Sequence, residues 1–179
     1  MRIVATAIKV YSLLGLVGLF WIRFQKRLTL ELFLNTQFPQ LPRDCLLALG
    51  ATVFLIGIFL FSSRNFLWAR QFEAELSKIL VPLRVWEIGT VSLLSGFAEE
   101  LFFRGALQPT IGLLPASLLF GAAHLVPRHP FWPWSLQAAF AGFLLGSIYE
   151  LTHQLYPVML AHAVTNFVLI VILNRQRKV

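Results

Sequence analysis

Six polar side chains interrupt apolar runs in the second half of the chain, and their types suit proton transfer. Two of them, Glu99 and Glu100, are adjacent carboxylates in the stretch SGFAEELFFRGAL, residues 95–107. A carboxylate can take a proton from water, and a histidine can assist that base or hold the water. A second histidine with an asparagine can donate hydrogen bonds to an oxyanion. The six residues are Glu99, Glu100, Arg104, His124, His162 and Asn166.

Helical spacing separates the roles of the two carboxylates. Glu100 and Arg104 are four residues apart, so they share a helix face and can form an ion pair. Glu99 is rotated by about 100° from its neighbour and is expected to face elsewhere. His162 and Asn166 are also four apart and project together from one face.

The composition places these residues in a membrane protein. The chain has 179 residues, of which 58% are hydrophobic and 13% are charged, and its mean hydropathy is +0.74. A soluble domain of this length needs more polar surface. The net charge of +7 does not indicate a nucleic-acid partner, because the basic residues lie at the ends of apolar runs, where they determine topology. The chain is therefore expected to be an all-α integral membrane protein with the lipid bilayer as its surroundings.

Apolar runs predict a compact bundle of about six transmembrane helices in a single membrane domain, residues 1–179. A spanning helix needs about 20 mostly apolar residues. Segments 23–44 and 64–84 are mixed in character and are expected to be amphipathic connectors at the membrane surface. The six predicted spans are 3–22, 45–63, 85–107, 111–126, 132–151 and 155–174.

The basic residues in the connecting segments favour cytoplasmic termini. With the N-terminus inside, nine Lys and Arg residues lie on the cytoplasmic side and four on the outer side, a bias typical of this orientation. The four outer residues are Arg23, Lys26, Arg27 and Arg43.

In this topology the polar residues of three helices lie at similar depth. Glu99, His124, His162 and Asn166 are expected about 10–20 Å from one membrane face, whereas Arg104 is expected nearer the surface. The layer lacks an acyl-forming nucleophile with a base at helical spacing. Attack of an activated water on a carbonyl is the simplest chemistry for this set.

Three motifs now identify a resemblance. EELFFR, from Glu99 to Arg104, fits the pattern EExxxR; FGAAH, from Phe120 to His124, fits FxxxH; and HAVTN, from His162, fits HxxxN. In this order, on late helices, they resemble the CPBP intramembrane proteases, the family of the type II CAAX prenyl endopeptidases and the bacterial Abi proteins. The resemblance covers residues 85–170 and implies that this part is a catalytic core.

The resemblance implies a role for each motif residue. Glu99 would be the general base that activates water, and His124 would help to bind or activate that water. His162 and Asn166 would form the oxyanion hole. The residues with structural or substrate-orienting roles would be Glu100, Arg104 and Phe120.

The family resemblance leaves open whether the enzyme uses a metal. A metal-free glutamate protease is favoured, since the sequence has no HExxH motif and the available ligands lie on three helices without a short-range chelating pair. No cofactor is then needed. A zinc ion bound by Glu99, His124 and His162 is the alternative.

Other functions also fit individual features. Glu100 and Arg104 can be a structural ion pair, and buried histidines and asparagines can join membrane helices by hydrogen bonds. A transporter or proton relay, or a non-catalytic immunity or scaffolding protein, would use the same polar cluster. The preferred function is an intramembrane endopeptidase acting on a membrane-embedded or lipid-anchored protein or peptide. The resemblance further suggests a prokaryotic inner membrane, and a prenylated CAAX protein, a bacteriocin precursor or a C-terminal sorting signal as substrate.

Overall fold

The computed structural model describes residues 2–33, 40–80, 82–126 and 132–176, and all regular structure within them is helical. This confirms the all-α class. The chain segment 127–131, predicted to join two helices, lies outside the described residues. The helices are α1 (Arg2–Phe24), α2 (Leu30–Phe33), α3 (Leu41–Asn65), α4 (Leu67–Leu80), α5 (Val85–Glu100), a π segment (Leu101–Leu107), α6 (Gln108–Ile111), α7 (Leu113–Ala123), α8 (Trp132–Thr152) and α9 (Leu155–Gln176).

The predicted count of six spans is not confirmed, although a helix lies at each predicted position. Among the described residues three helices are long and apolar enough to cross a membrane: Ile3–Phe24, Leu41–Asn65 and Leu155–Arg175. A fourth is reached if α4 and Val85–Ile111, which are strongly bent relative to each other, count together. Helix α7 has 11 residues. At 1.5 Å per residue it is about 16 Å long, about half of the hydrocarbon thickness.

The two predicted connectors differ. Helix α4 is amphipathic as predicted: it buries Ala69, Phe72 and Glu73, while Arg70 and Lys78 on its other face are exposed. In segment 23–44, by contrast, the described part between α1 and α3 contains only the four-residue helix α2.

The helix carrying the two glutamates has a defined start but no break after them. At its beginning the Glu87 side chain accepts a hydrogen bond from the Arg84 N–H at 2.8 Å, as in a capping box. After Glu100 the chain continues directly into the π segment and then α6. Gly112, with φ of 90°, then allows the reversal into α7, because this backbone conformation is unfavourable for other residues.

Small residues bring the helices of the motif region into close contact. A Cβ placed on Gly96 of α5 would lie 2.7 Å from the backbone nitrogen of Ala163 on α9. A Cβ on Gly121 of α7 would lie 2.6 Å from the Cβ of Ala139 on α8. Glycine at such contacts lets helix backbones approach closely, as is common in membrane bundles. Because Gly96 is one turn before Glu99 and Ala163 follows His162, the first contact brings these two motif residues face to face.

Candidate active site

The second glutamate of the pair is at the centre of a buried ion pair. Glu100 is fully buried, and its Oε1 accepts a hydrogen bond from Arg104 Nη1 at 3.0 Å. Arg104 Nη2 donates to the Gly142 carbonyl on α8 at 3.0 Å. The predicted pair is therefore present. Arg104 is 2% exposed, so its guanidinium is buried within the helix bundle. Its charge is retained inside the bundle by the carboxylate and the carbonyl.

Glu100 has a second partner that helical spacing did not predict. The Nδ1 atom of His162 lies 2.7 Å from Glu100 Oε1, the same oxygen that Arg104 contacts. A carboxylate paired with an arginine accepts hydrogen bonds, so His162 Nδ1 carries the proton. Glu100 thus contacts both Arg104 and His162 through one oxygen and can orient the imidazole.

Glu99 faces the two histidines, as predicted from its rotation around the helix. Its Oε2 lies 3.7 Å from His124 Nε2 and 4.0 Å from His162 Nε2. The residue is 6% exposed, and Oε2 has no hydrogen-bond partner among the described residues. Polar atoms at such separations are commonly bridged by water. Glu99 Oε2 and the two Nε2 atoms thus form a buried polar triangle, in which Oε2 has no direct hydrogen bond to either nitrogen.

His124 is held in a defined tautomer at the end of α7. It follows the last helical residue, Ala123, and is thus a C-terminal cap and not part of a continuous span. Its Nδ1 lies 2.7 Å from the Phe120 carbonyl, and a carbonyl can only accept a hydrogen bond. The proton of a neutral His124 is therefore on Nδ1, which leaves Nε2 as an acceptor facing Glu99.

Phe120 packs against three of the polar motif residues, His124, His162 and Arg104. Its ring centroid lies 4.6 Å from that of His124 and 5.9 Å from that of His162. The Arg104 guanidinium carbon lies 4.5 Å from the same ring, a cation–π distance. The spacing FxxxH thus corresponds here to a ring that contacts both imidazoles and the arginine.

Asn166 reaches the same cavity but bonds to a residue that the motifs do not include. Its Nδ2 donates to Ser95 Oγ at 2.9 Å, and Ser95 lies one turn before Glu99 on α5. Tyr11 of α1 was also missed. Its side chain lies beside Glu99 and lines the cavity. No sequence signal marked Tyr11, because its helix carries no motif and its contact with Glu99 depends on tertiary packing.

A largely apolar cavity of about 1010 Å³ contains these groups. Side chains from α1, α3, α4, α5, α7, α8 and α9 line it. Besides apolar residues its wall includes Tyr11, Ser95, Glu99, His124, Gln137, His162, Thr165 and Asn166. A cavity with apolar walls and a few convergent polar groups is typical of a ligand site.

A zinc ion bound by Glu99, His124 and His162 would need its ligand atoms close to one another. Bond lengths near 2.0 Å and tetrahedral geometry place zinc ligands about 3.3 Å apart. The observed separations from Glu99, 3.7 and 4.0 Å, are wider. Within the described part of the chain, no group of three or more His, Cys, Asp or Glu residues is arranged to hold a metal ion. In the described conformation Glu99 is therefore farther from each histidine than the ligands of one zinc ion are from each other.

Comparison with known proteins agrees with the motifs. Residues 81–168, which include all seven motif residues, match the family model "Type II CAAX prenyl endopeptidase Rce1-like". The "Uncharacterized protein YpbD" of Bacillus subtilis (strain 168) is similar, with 42% identity over 91 residues. The match covers 51% of this chain and 48% of that relative, so it spans about half of each. No solved structure matches the chain. Residues 81–168 thus match the Rce1-like family, and the resemblance of this part of the chain to the CPBP proteases is confirmed.

Proposed function

We propose that this chain is an intramembrane endopeptidase that hydrolyses a peptide bond with water activated by Glu99. One observation carries the proposal: the buried Glu99 Oε2, without a hydrogen-bond partner among the described residues, faces Nε2 of both His124 and His162 at 3.7 and 4.0 Å. The match of residues 81–168 to the Rce1-like family model also supports hydrolysis of a peptide bond.

Each group has a defined part in the proposed reaction. A water in the triangle donates one hydrogen bond to Glu99 Oε2 and one to His124 Nε2, because both atoms are acceptors. Its oxygen attacks the scissile carbonyl carbon, and Glu99 takes the proton that is released. The tetrahedral intermediate then collapses, the C–N bond breaks, and Glu99 returns the proton to the amine that leaves. The products are a carboxylic acid and an amine, which then ionise to a carboxylate and an ammonium group.

His162 and Asn166 stabilise the oxyanion in this proposal. For His162 to donate from Nε2 as well as Nδ1, its ring must be an imidazolium. Glu99 and Glu100 carry two negative charges against the single positive charge of Arg104, so a cation at His162 neutralises the cluster. Donors aimed at a developing oxyanion in a dry site lower the barrier strongly.

The substrate class follows from the surroundings of the site. The walls of the cavity are mostly apolar, and the helices around it suit a bilayer. A membrane-embedded or lipid-anchored protein or peptide satisfies both conditions. For the whole chain we propose cytoplasmic termini, from the distribution of Lys and Arg, and a prokaryotic inner membrane, from the family resemblance. Reporter fusions to the C-terminus that are active only on the outer side would contradict this orientation.

The experiment for the proposed function searches for new amino termini. Purified protein in lipid vesicles is incubated with membranes from cells that lack the gene, and amino termini are then labelled and identified by mass spectrometry. We expect termini that appear with the wild-type chain and not with Glu99→Gln, and that map to hydrophobic or lipid-modified segments. Identical sets of termini for both proteins would contradict an endopeptidase.

A further inference from the structure

One backbone carbonyl of the π segment, that of Gly105, lacks the donor that an α-helix would provide. In an α-helix the Gly105 carbonyl would accept from residue 109, which is Pro109 and has no N–H. The helix here has the longer register: the Gln108 N–H donates to the Phe103 carbonyl. Gly105 and Ala106 are buried, and an unpaired buried carbonyl is costly.

Side chains of the turn after α1 donate to both carbonyls, and the Ala106 carbonyl also accepts from Thr110 Oγ1 at 3.0 Å. Arg27 Nη1 donates to the Gly105 carbonyl at 3.2 Å, and Gln25 Nε2 donates to the Ala106 carbonyl at 3.1 Å. Gln25 Nε2 also contacts Thr110 Oγ1 at 2.6 Å. Two side chains from one turn thus bind consecutive carbonyls about 80 residues further along the chain.

This turn has a fixed conformation. The Arg27 N–H donates to the Ile22 carbonyl and the Lys26 N–H to the Arg23 carbonyl, and Lys26 has a φ of 58°. These are the bonds and the left-handed residue of a Schellman motif, which ends α1. Arg27 is fixed further because its Nη2 donates to the Tyr149 hydroxyl at 3.0 Å. The donors therefore belong to a rigid element and not to a free loop.

The clamped carbonyl is directly connected to the candidate active site. Gly105 follows Arg104, whose guanidinium binds Glu100 Oε1. The same oxygen accepts from His162 Nδ1. A change in the backbone at Gly105 therefore moves Arg104, and through Glu100 it changes the orientation of the His162 ring.

We propose that Gln25 and Arg27 are positioning residues, which hold the π segment in the register that orients His162. The proposal rests on the proposed function, because it assigns a purpose to that orientation. Both residues lie outside the segment 81–168 that matches the family. The first helix and its turn would thus contribute to the site although they carry none of the motifs.

The test is nitrogen NMR of the full-length chain labelled with ¹⁵N-histidine in lipid nanodiscs. The ring signals of His162 are assigned with His162→Gln, and thermal stability is measured in parallel. In Arg27→Ala we expect the His162 signals to shift, while those of His153, which lies at the end of α8, remain unchanged. Arg27→Lys should restore part of the shift. Arg23→Ala, which removes an exposed basic residue from the same turn, is the matched control and should leave the spectrum unchanged.

The Pro109→Ala variant tests whether the bond from Arg27 to the Gly105 carbonyl orients His162 or only stabilises the fold. In the Arg27→Ala background it supplies an N–H for the Gly105 carbonyl and should restore stability but not the His162 signals. A wild-type His162 spectrum in Arg27→Ala, the same shift in Arg23→Ala, or restoration of the spectrum by Pro109→Ala would each contradict the proposal. If Arg27→Ala does not fold, Tyr149→Phe removes one partner of Arg27 and must produce a smaller shift in the same signals. Because the readout needs no substrate, it distinguishes failure of this clamp from failure of the proposed protease.

Discussion

His162 Nδ1 and Glu100 Oε1 are 2.7 Å apart, so the second glutamate of the motif directly orients a histidine of the site. Glu100 thereby connects the ion pair with Arg104 to the group proposed to stabilise the oxyanion. Because Glu100 contacts both residues, loss of its carboxylate is expected to affect both stability and activity.

Glu100→Gln should reduce both stability and activity. The amide leaves Arg104 without a counter-charge at a position 2% exposed, and removal of one partner of a buried pair typically costs about 3–5 kcal/mol. The weaker acceptor should also release His162 and lower kcat. Thermal unfolding and cleavage rates are compared with those of Glu31→Gln, which changes an exposed carboxylate. Normal stability with lost activity would instead assign Glu100 a direct part in the chemistry.

Gly96→Ala should separate two helices that hold opposite sides of the site. The added methyl group would lie 2.7 Å from the Ala163 nitrogen, so α5 and α9 must move apart, at an expected cost of about 1–3 kcal/mol. Gly89→Ala on the same helix is the control, because a Cβ there has no atom within 4 Å among the described residues. Thermal unfolding should show a loss only for Gly96→Ala. Equal stability of the two variants would show that the close contact does not constrain the site.

The motif residues could be predicted from the sequence because helical spacing fixes which side chains share a face. Spacing placed Glu100 with Arg104 and turned Glu99 toward the histidines, and both relationships are present. It could not reveal the π segment, since the donor to the Gly105 carbonyl is Arg27, 78 residues away.

The number of spans also could not be predicted from the hydropathy pattern. Hydropathy marks apolar residues, but it does not show that α7 ends at Ala123 and that His124 caps it. The partners of Asn166 and Glu99 on other helices depend in the same way on tertiary packing, which a single sequence does not encode in any short motif.

Tyr11→Phe should slow cleavage with little effect on folding. The variant removes only the hydroxyl beside Glu99 and keeps the ring that lines the cavity. A hydrogen bond to a charged group is worth about 1.5–3 kcal/mol, so kcat should fall about tenfold or more. Rates are compared on a cleavage site found by amino-terminal labelling, with thermal stability measured alongside. An unchanged kcat would remove Tyr11 from the set of groups that hold the base.

Removal of metal ions by a chelator tests whether Glu99 or a bound zinc ion activates the water. After exhaustive treatment with a strong chelator and removal of the complex, we expect the cleavage rate to be retained, because Glu99 alone takes the proton. The control is a zinc peptidase treated in the same way. Loss of activity that zinc restores selectively would assign Glu99, His124 and His162 to metal binding.

The most direct measurement of the central claim is the single-turnover cleavage rate of Glu99→Gln in lipid vesicles, with Glu31→Gln as the control. The amide keeps the size of the side chain, and a neutral group is cheaper to bury than a carboxylate, so the variant should fold and insert. It cannot take a proton from water, and the rate should fall by about 10²–10⁴-fold, the usual contribution of a general base. A folded Glu99→Gln protein that cleaves at the wild-type rate would contradict catalysis by glutamate-activated water.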